Sequence, residues 1–168
     1  LFDALRETSA ELFLNTGTFA EYLGNDGDLN PAYYYAATKT ASRSIVNYYR
    51  NLTGMKACTI VPYTVYGGLD SNKKILDLLF DSLFSDKALR TTKGEQISDF
   101  VHIEDVVSFY VCAINNAHLL KDGEDYHLGT GKGVSLRDIA QLIEKIAGKK
   151  TNVEWGALPY RNIDVKSA

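Results

Sequence analysis

The sequence predicts an α/β fold built on a largely parallel sheet. Short, β-rich apolar runs bounded by turn residues, as at 11–15 and 57–61, read as buried strands. Longer segments whose apolar residues recur every three or four positions, as at 73–84 and 135–147, read as helices. The two kinds alternate along the chain, the pattern of a sheet covered by crossover helices.

Taken in order, residues 1–10 read as the end of a helix, with Leu1, Leu5 and Thr8 on one side. The strand at 11–15 runs into Thr16-Gly17-Thr18. Residues 25–31, Asn-Asp-Gly-Asp-Leu-Asn-Pro, are a loop by composition. Pro31 suits the first turn of a helix, and the Ala-rich stretch 32–53 holds no Gly or Pro until Gly54, a C-terminal cap. After the strand at 57–61, Ile75, Leu78, Leu79 and Leu83 form a helical stripe. A strand at 99–103 precedes a helix that Asp105 caps, with Val106, Val107, Tyr110, Val111 and Ile114 on one face. A brief strand at 126–128 leads to Gly129-Thr-Gly-Lys-Gly133. Ser135, with Asp138 three residues on, caps the next helix, which Gly148 ends. Residues 152–155 make a last strand.

Composition excludes several classes. The chain has 168 residues, 45% hydrophobic and 23% charged, with net charge −3. That is enough apolar material for a core. No basic block of the kind that nucleic-acid binding draws on is present. No run approaches the roughly 20 apolar residues of a membrane span. Cys58 and Cys112 make no disulfide framework, which points to a reduced, cytoplasmic protein. The start at Leu1, without Met or signal peptide, leads us to expect a piece of a longer protein.

Chemistry concentrates in Tyr33-Tyr34-Tyr35-Ala36-Ala37-Thr38-Lys39. Residues four apart lie one above the other on a helix, so Tyr35 and Lys39 share a face. A phenol titrates near 10, too high for a base at neutrality, and a neighbouring ammonium favours the phenolate. The pair is therefore a proton-transfer device in outline, although the spacing alone also fits a solvated helix face. Three further stretches surround it in the sequence: Asn15-Thr16-Gly17-Thr18, Pro62-Tyr63-Thr64-Val65-Tyr66-Gly67, and Gly94 through Ser98-Asp99-Phe100-Val101-His102 to Val107.

This order of motifs, from about Leu12 to Asp164, resembles the extended short-chain dehydrogenase/reductases, specifically the NAD-dependent epimerase/dehydratase group acting on nucleotide sugars. The resemblance implies that Tyr35 is the catalytic tyrosine. Lys39 would be the lysine that also holds the nicotinamide ribose, and Thr18 the residue that bonds the reacting sugar hydroxyl. Thr18 stands four residues before Tyr22, as in the family, but Leu23 replaces the usual Gly, so Thr16 is a rival. Pro62 and Tyr63 fall where the family's backbone lies along the nicotinamide, and Thr64 where it places a substrate-touching Asn. Arg161 matches the late arginine on the nucleotide diphosphate, for which a guanidinium fork is suited. Ser98 and Val61 stand where many members have Arg; Lys73 or Lys74 is a candidate replacement for the lost phosphate contact.

The resemblance further implies NAD or NADP as cofactor, a nucleotide-sugar substrate, and a homodimer through the Tyr35/Lys39 helix. It divides the chain into residues 1–67, the second half of a Rossmann-type domain, and 68–168, mostly substrate-binding with returning elements at 99–115. The cofactor-binding first half is then absent, and the isolated chain is expected to be inactive. The favoured reaction is 4-epimerisation through a 4-keto intermediate. The alternatives are an NADPH-dependent 4-keto-6-deoxy-sugar nucleotide reductase and a non-catalytic nucleotide-binding relative. The Gly129–Gly133 stretch does not have phosphate-loop spacing and reads as a turn. His102, His118 and His127 lack metal-ligand spacing. Ile45, Val46, Tyr48 and Tyr49 face either a partner or the core.

Overall fold

The computed structural model describes residues 2–23, 27–68, 73–161 and 163. Parts of three sequence expectations lie outside these residues: Leu1, the first two residues of the 25–31 loop, and the residues flanking Ile163.

The α/β class holds, with the strands of the described residues divided among three small sheets. A short α1 (Phe2–Leu5) precedes β1 (Leu12–Thr16), and α2 (Tyr34–Thr53) crosses over to β2 (Lys56–Pro62). Later strands and helices are β3 (Thr64–Tyr66), α3 (Ile75–Ser82), β4 (Leu89–Thr91), β5 (Ile97–His102) and α4 (Ile103–Asn115). They are followed by β6 (Asp125–Leu128), β7 (Gly133–Ser135), α5 (Leu136–Ala147) and β8 (Val153–Trp155).

The first sheet, β1-β2-β6, is wholly parallel, with Thr16 opposite Ile60 and Pro62 opposite Leu128. Strand β2 is its centre, and Ala57 to Val61 are all buried, as an apolar strand covered on both faces must be. The strand returning to this sheet is β6, whereas β5 pairs in parallel with β3 and antiparallel with β7. Helix α4 does come back to the first sheet, through a 2.6 Å hydrogen bond between the Tyr110 and Thr16 hydroxyls. The parallel β4–β8 pair closes a second core, where Leu79, Leu136 and Ala140 pack with Leu89, Ile143 and Trp155.

Several boundaries differ from the expected ones, each for a local reason. The helix at the start is one turn, because Leu5 and Ala4 close turns with Thr8 and Glu7 instead of continuing it. Helix α2 begins at Tyr34 with extended Tyr33 as its N-cap, so Pro31 lies outside its first turn. Gly54 ends it in the left-handed conformation at φ 71°, as expected. Helix α4 starts at Ile103, and its cap is the His102 ring accepting from the Glu104 N–H, not Asp105. Of its apolar face only Val106 is buried, while Val107, Val111 and Ile114 are more than half exposed. Ser135 caps α5 as anticipated, its hydroxyl accepting from the Asp138 N–H.

Two carboxylates organise the loops. Asp99 on β5 accepts from the Thr130 hydroxyl and N–H and from the Gly131 N–H, which shapes the Gly129–Gly133 segment as a turn around it. Burial pushes this carboxyl up, but those hydrogen bonds, with one from the Lys132 N–H, outweigh it and hold its pKa below the usual value. Glu21, in a one-turn 3-10 helix at Phe19–Glu21, is completely buried. It bonds Arg43 of α2 at 2.7 Å, and Arg43 also grips Asp125 of β6 at 2.6 Å. The chain passes so close over this ion pair that a Cβ on Gly17 would stand 2.7 Å from Glu21 Oε1 and 2.9 Å from Arg43 Nη2.

Two outcomes follow for stability. Because the Asp99 pKa is depressed on folding, its contribution is complete above about pH 4 and is lost as pH falls through the folded value. Asp99→Asn should cost about 2 kcal/mol at pH 7 and should flatten the acid limb of denaturant-measured stability against pH. Gly17→Ala should cost about 1–3 kcal/mol through overpacking, whereas Gly68→Ala, where a Cβ meets nothing within 4 Å, should shift urea midpoints little.

Candidate active site

In open α/β sheets, ligands meet the chain beyond the carboxyl ends of the strands. Here Thr16-Gly17-Thr18 follows β1, Tyr63 follows β2, and Gly129-Thr130 follows β6. Helix α2 opens toward the same edge.

Tyr35 lies in the first turn of α2 and is 53% exposed, so its hydroxyl is reachable. The Lys39 ammonium stands 5.7 Å from the centroid of the Tyr35 ring, on the shared face that four-residue spacing requires. It donates to the Thr16 carbonyl at 3.0 Å, which fixes the helix face against the end of β1. One of its three N–H donors is used there. Tyr33 stacks on Tyr35 with ring centroids 6.5 Å apart, limiting how far the phenol can swing.

Thr18 and Thr16 are placed differently. The Thr18 hydroxyl accepts from the Ala20 N–H at 3.4 Å as the cap of the 3-10 turn, leaving its own O–H to donate elsewhere. The Thr16 hydroxyl is already paired with Tyr110. Burial raises the Tyr110 pKa, and the Thr16 hydrogen bond opposes this in part. That phenol is thereby kept protonated and suited to a structural bond.

The β2 exit is fixed as well. Pro62 pairs with Leu128, and the Tyr63 N–H donates to the Leu128 carbonyl at 3.0 Å. The Tyr63 ring stacks on Phe19, next to Thr18, at 5.9 Å and 8° between planes. Thr64 opens β3 and lines a cleft of about 350 Å³, together with Tyr66, Lys74, Ile75, Phe80 and Phe100. Ser98 shares the face of β5 with Phe100, because alternate residues point the same way, while Asp99 between them holds the Gly129–Gly133 turn.

Of the remaining expected residues, Lys73 and Arg161 do not line this cleft. Lys73 is ion-paired with Asp81, and that hydrogen bond raises its pKa. Its neighbour Lys74 is the lysine on the cleft wall. Arg161 is exposed, just past Tyr160, whose hydroxyl accepts from the Glu95 N–H at 3.0 Å. Among the described residues, no His, Cys, Asp or Glu side chains gather in threes as a metal ion requires. Likewise, no helix there is long and apolar enough to cross a membrane.

Sequence reasoning missed Glu21, Tyr22, Arg43 and Asp125. Tyr22 donates to Asp125 at 2.6 Å, and its pKa is raised by burial and then by that bond. Arg43 was legible in part: it falls seven residues after the buried Ala36 and three after Thr40, on the inward face of α2.

Comparison with known proteins identifies relatives of this chain. The chain is 29% identical over 168 residues to CDP-abequose synthase of Salmonella typhimurium, covering 98% of this chain and 56% of that protein. It is 32% identical over 136 residues to UDP-glucose 4-epimerase of Mycolicibacterium smegmatis, covering 77% of this chain and 42% of the relative. The chain thus spans about half the length of these curated relatives. The fold superposes on UDP-glucuronic acid 4-epimerase of Bacillus cereus, in complex with UDP-glucuronic acid and NAD, with TM-score 0.85 and 23% identity, over 99% of this chain and 55% of that one. Residues 1–129 match the model of one family, and the chain belongs to it: the NAD dependent epimerase/dehydratase family.

Proposed function

We propose that this chain carries the catalytic residues and much of the substrate site of a nucleotide-sugar-modifying enzyme, and that its favoured reaction is 4-epimerisation. The observation that carries the reading is the placement of Tyr35 and Lys39 against the end of β1, through the Lys39–Thr16 bond of 3.0 Å. Family membership and the UDP-sugar epimerase names among its relatives support the substrate class.

The residues fit a nicotinamide dinucleotide. An ammonium and a phenol on one helix face, at the carboxyl edge of a parallel sheet, are the donors that a ribose diol accepts. NAD or NADP, bound there, supplies the acceptor and donor of hydride. Tyr35 takes the proton of the sugar hydroxyl as the carbon–oxygen bond becomes a carbonyl, and returns it when the alcohol re-forms. Thr18 donates to the same oxygen, a role better open to it than to Thr16, whose hydroxyl bonds Tyr110. Lys39 keeps positive charge beside the phenol and holds the ribose. Pro62 and Tyr63 present rigid backbone to the nicotinamide, and Thr64 meets the sugar at the cleft mouth. Ser98, Lys74 and Arg161 face the nucleotide; Lys73 contributes less, because Asp81 engages it.

The division of labour is also a proposal. Residues 1–67 form the second half of a Rossmann-type domain, and the glycine-rich cofactor half lies elsewhere in the polypeptide. Two observations support this: among the described residues β1 has a strand on one side only, and α4 exposes Val107, Val111 and Ile114. A homodimer through α2 is supported by exposed Ile45, Tyr48 and Leu52, three and four residues apart on its outer face.

A second reading has its own support. The relative aligned over 98% of this chain is named as a synthase, not an epimerase. The same residues then serve a one-way reduction of a 4-keto-6-deoxy-sugar nucleotide.

The test uses full-length protein with UDP-glucose or UDP-glucuronic acid and NAD, and with a CDP-linked 4-keto-6-deoxyglucose and NADPH. Epimerisation changes the sugar with no net change in absorbance at the reduced-nicotinamide band, whereas reduction consumes the band in proportion to product. Tyr35→Phe should lower kcat by about 10²–10⁴-fold in whichever reaction is observed. Turnover unchanged in Tyr35→Phe overturns the assignment.

A further inference from the structure

Glu21 is the one carboxylate of the described chain that is wholly inaccessible, at 0% exposure. An isolated buried charge is costly, so its partners define what it does. Oε1 accepts from the Thr18 N–H at 2.7 Å and from Arg43 Nη2 at 3.3 Å. Oε2 accepts from Arg43 Nε at 2.7 Å and from the Thr40 hydroxyl at 3.2 Å, whose one proton it shares with the Ala36 carbonyl, also at 3.2 Å. A carboxylate offers about four lone-pair sites; three face Thr18 and Arg43 donors, and the fourth faces the shared Thr40 hydroxyl. Glu21 therefore has no vacant oxygen with which to move a proton.

The donors come from two places only. One is the backbone of Thr18. The other is the inward face of α2, where Thr40 and Arg43 lie beside the Tyr35/Lys39 stripe. Arg43 continues the connection: its Nη1 donates to both Asp125 oxygens, at 2.6 and 2.7 Å, and the Tyr22 hydroxyl donates to the same carboxylate. Gly17, immediately before Thr18, leaves the room that this arrangement occupies. Replacing a buried ion pair by apolar residues is often neutral or stabilising, so net stability does not explain such a network. What the network does fix is the distance between the Thr18 turn and the helix that carries Tyr35 and Lys39.

We propose that Glu21 is a positioning residue, whose carboxylate clamps the Thr18 turn to α2 through Arg43 and Thr40, so that the Thr18 and Tyr35 hydroxyls meet the same substrate oxygen. This rests on the reading of Thr18, Tyr35 and Lys39 given above. Glutamine cannot replace the carboxylate. Its amide nitrogen would face either the Thr18 N–H or the Arg43 guanidinium, both of which are donors. Aspartate is one methylene too short to span both partners. In either case the link between the Thr18 turn and Arg43 of α2 is broken, while Tyr35, Lys39 and the substrate cleft keep their own contacts.

The test is a kinetic cycle in full-length protein, with whichever of the UDP-sugar or CDP-keto-sugar probes above turns over. Glu21→Gln should lower kcat about 10–100-fold, as expected for a misplaced orienting group, with KM within about threefold. Thr18→Ala should also lower kcat, but added to Glu21→Gln it should cost less than about threefold more, since the two losses are one loss. A merely structural role gives independent, multiplying losses, and that result overturns the proposal. Full kcat in a folded Glu21→Gln also overturns it. Should Glu21→Gln fail to fold, Thr40→Val removes, at nearly equal volume, the hydroxyl shared between the carboxylate and the Ala36 carbonyl, with Thr40→Ser as the control that keeps it. Thr40→Val should lower kcat about threefold without changing KM, and wild-type kcat there overturns the proposal. Tyr35→Phe run alongside separates the two claims: turnover retained by Tyr35→Phe overturns the reading of the site itself, whereas its loss beside full kcat in Glu21→Gln overturns the positioning role alone.

Discussion

The buried contact between Glu21 and Arg43 is the interaction on which the rest of the site depends. It joins a turn that follows β1 to the inward face of α2, and through Asp125 to the start of β6. These three elements are far apart in sequence, and the first sheet alone does not set their mutual distance. The strand pairing of β1, β2 and β6 fixes the platform; the ion pair fixes what stands on it. Gly17 is the consequence seen in the backbone, where any side chain would enter the space that the two charges share.

The parallel sheet supplies the second constraint. Parallel strands bring their carboxyl ends to one edge, and the residues after β1, β2 and β6 arrive there together. Each exit is then tied down by a separate bond. Lys39 holds the Thr16 carbonyl, Leu128 receives the Tyr63 N–H, and Asp99 gathers the turn after β6. The Gly129–Gly133 turn directs its N–H groups at a protein carboxylate, which is why a glycine-rich loop between strand and helix here serves structure and not phosphate. The exposed Tyr35 phenol at this edge is the group to which the proposed chemistry falls.

Much of this was legible from residue order. The Tyr35/Lys39 face follows from helical geometry alone, and the caps at Gly54, Ser135 and Gly148 follow from residue type. The central strand was visible because Ala57 to Val61 is β-rich and, Thr59 apart, apolar. What the sequence concealed has a common cause. Arg43 and Asp125 are 82 positions apart, and nothing local marks either as the other's partner. Strands β3, β4 and β7 have three residues each, too few for a period to register. The apolar stripe on α4 was read correctly as a period but not as exposed, because periodicity says that a face is apolar and not what covers it. Asp105 looked like a cap by type, yet the ring of His102 reached the open N–H first.

The central claim is that Tyr35, Lys39 and Thr18 surround one sugar carbon. A crystal structure of the full-length protein with NAD and an unreactive nucleotide-sugar analogue tests it most directly. The account predicts one sugar hydroxyl within about 3 Å of both the Tyr35 and Thr18 hydroxyl oxygens, with Glu21 still bonded to the Thr18 N–H. A sugar bound with Tyr35 turned to solvent, or with Thr16 and not Thr18 on the reacting oxygen, would contradict it.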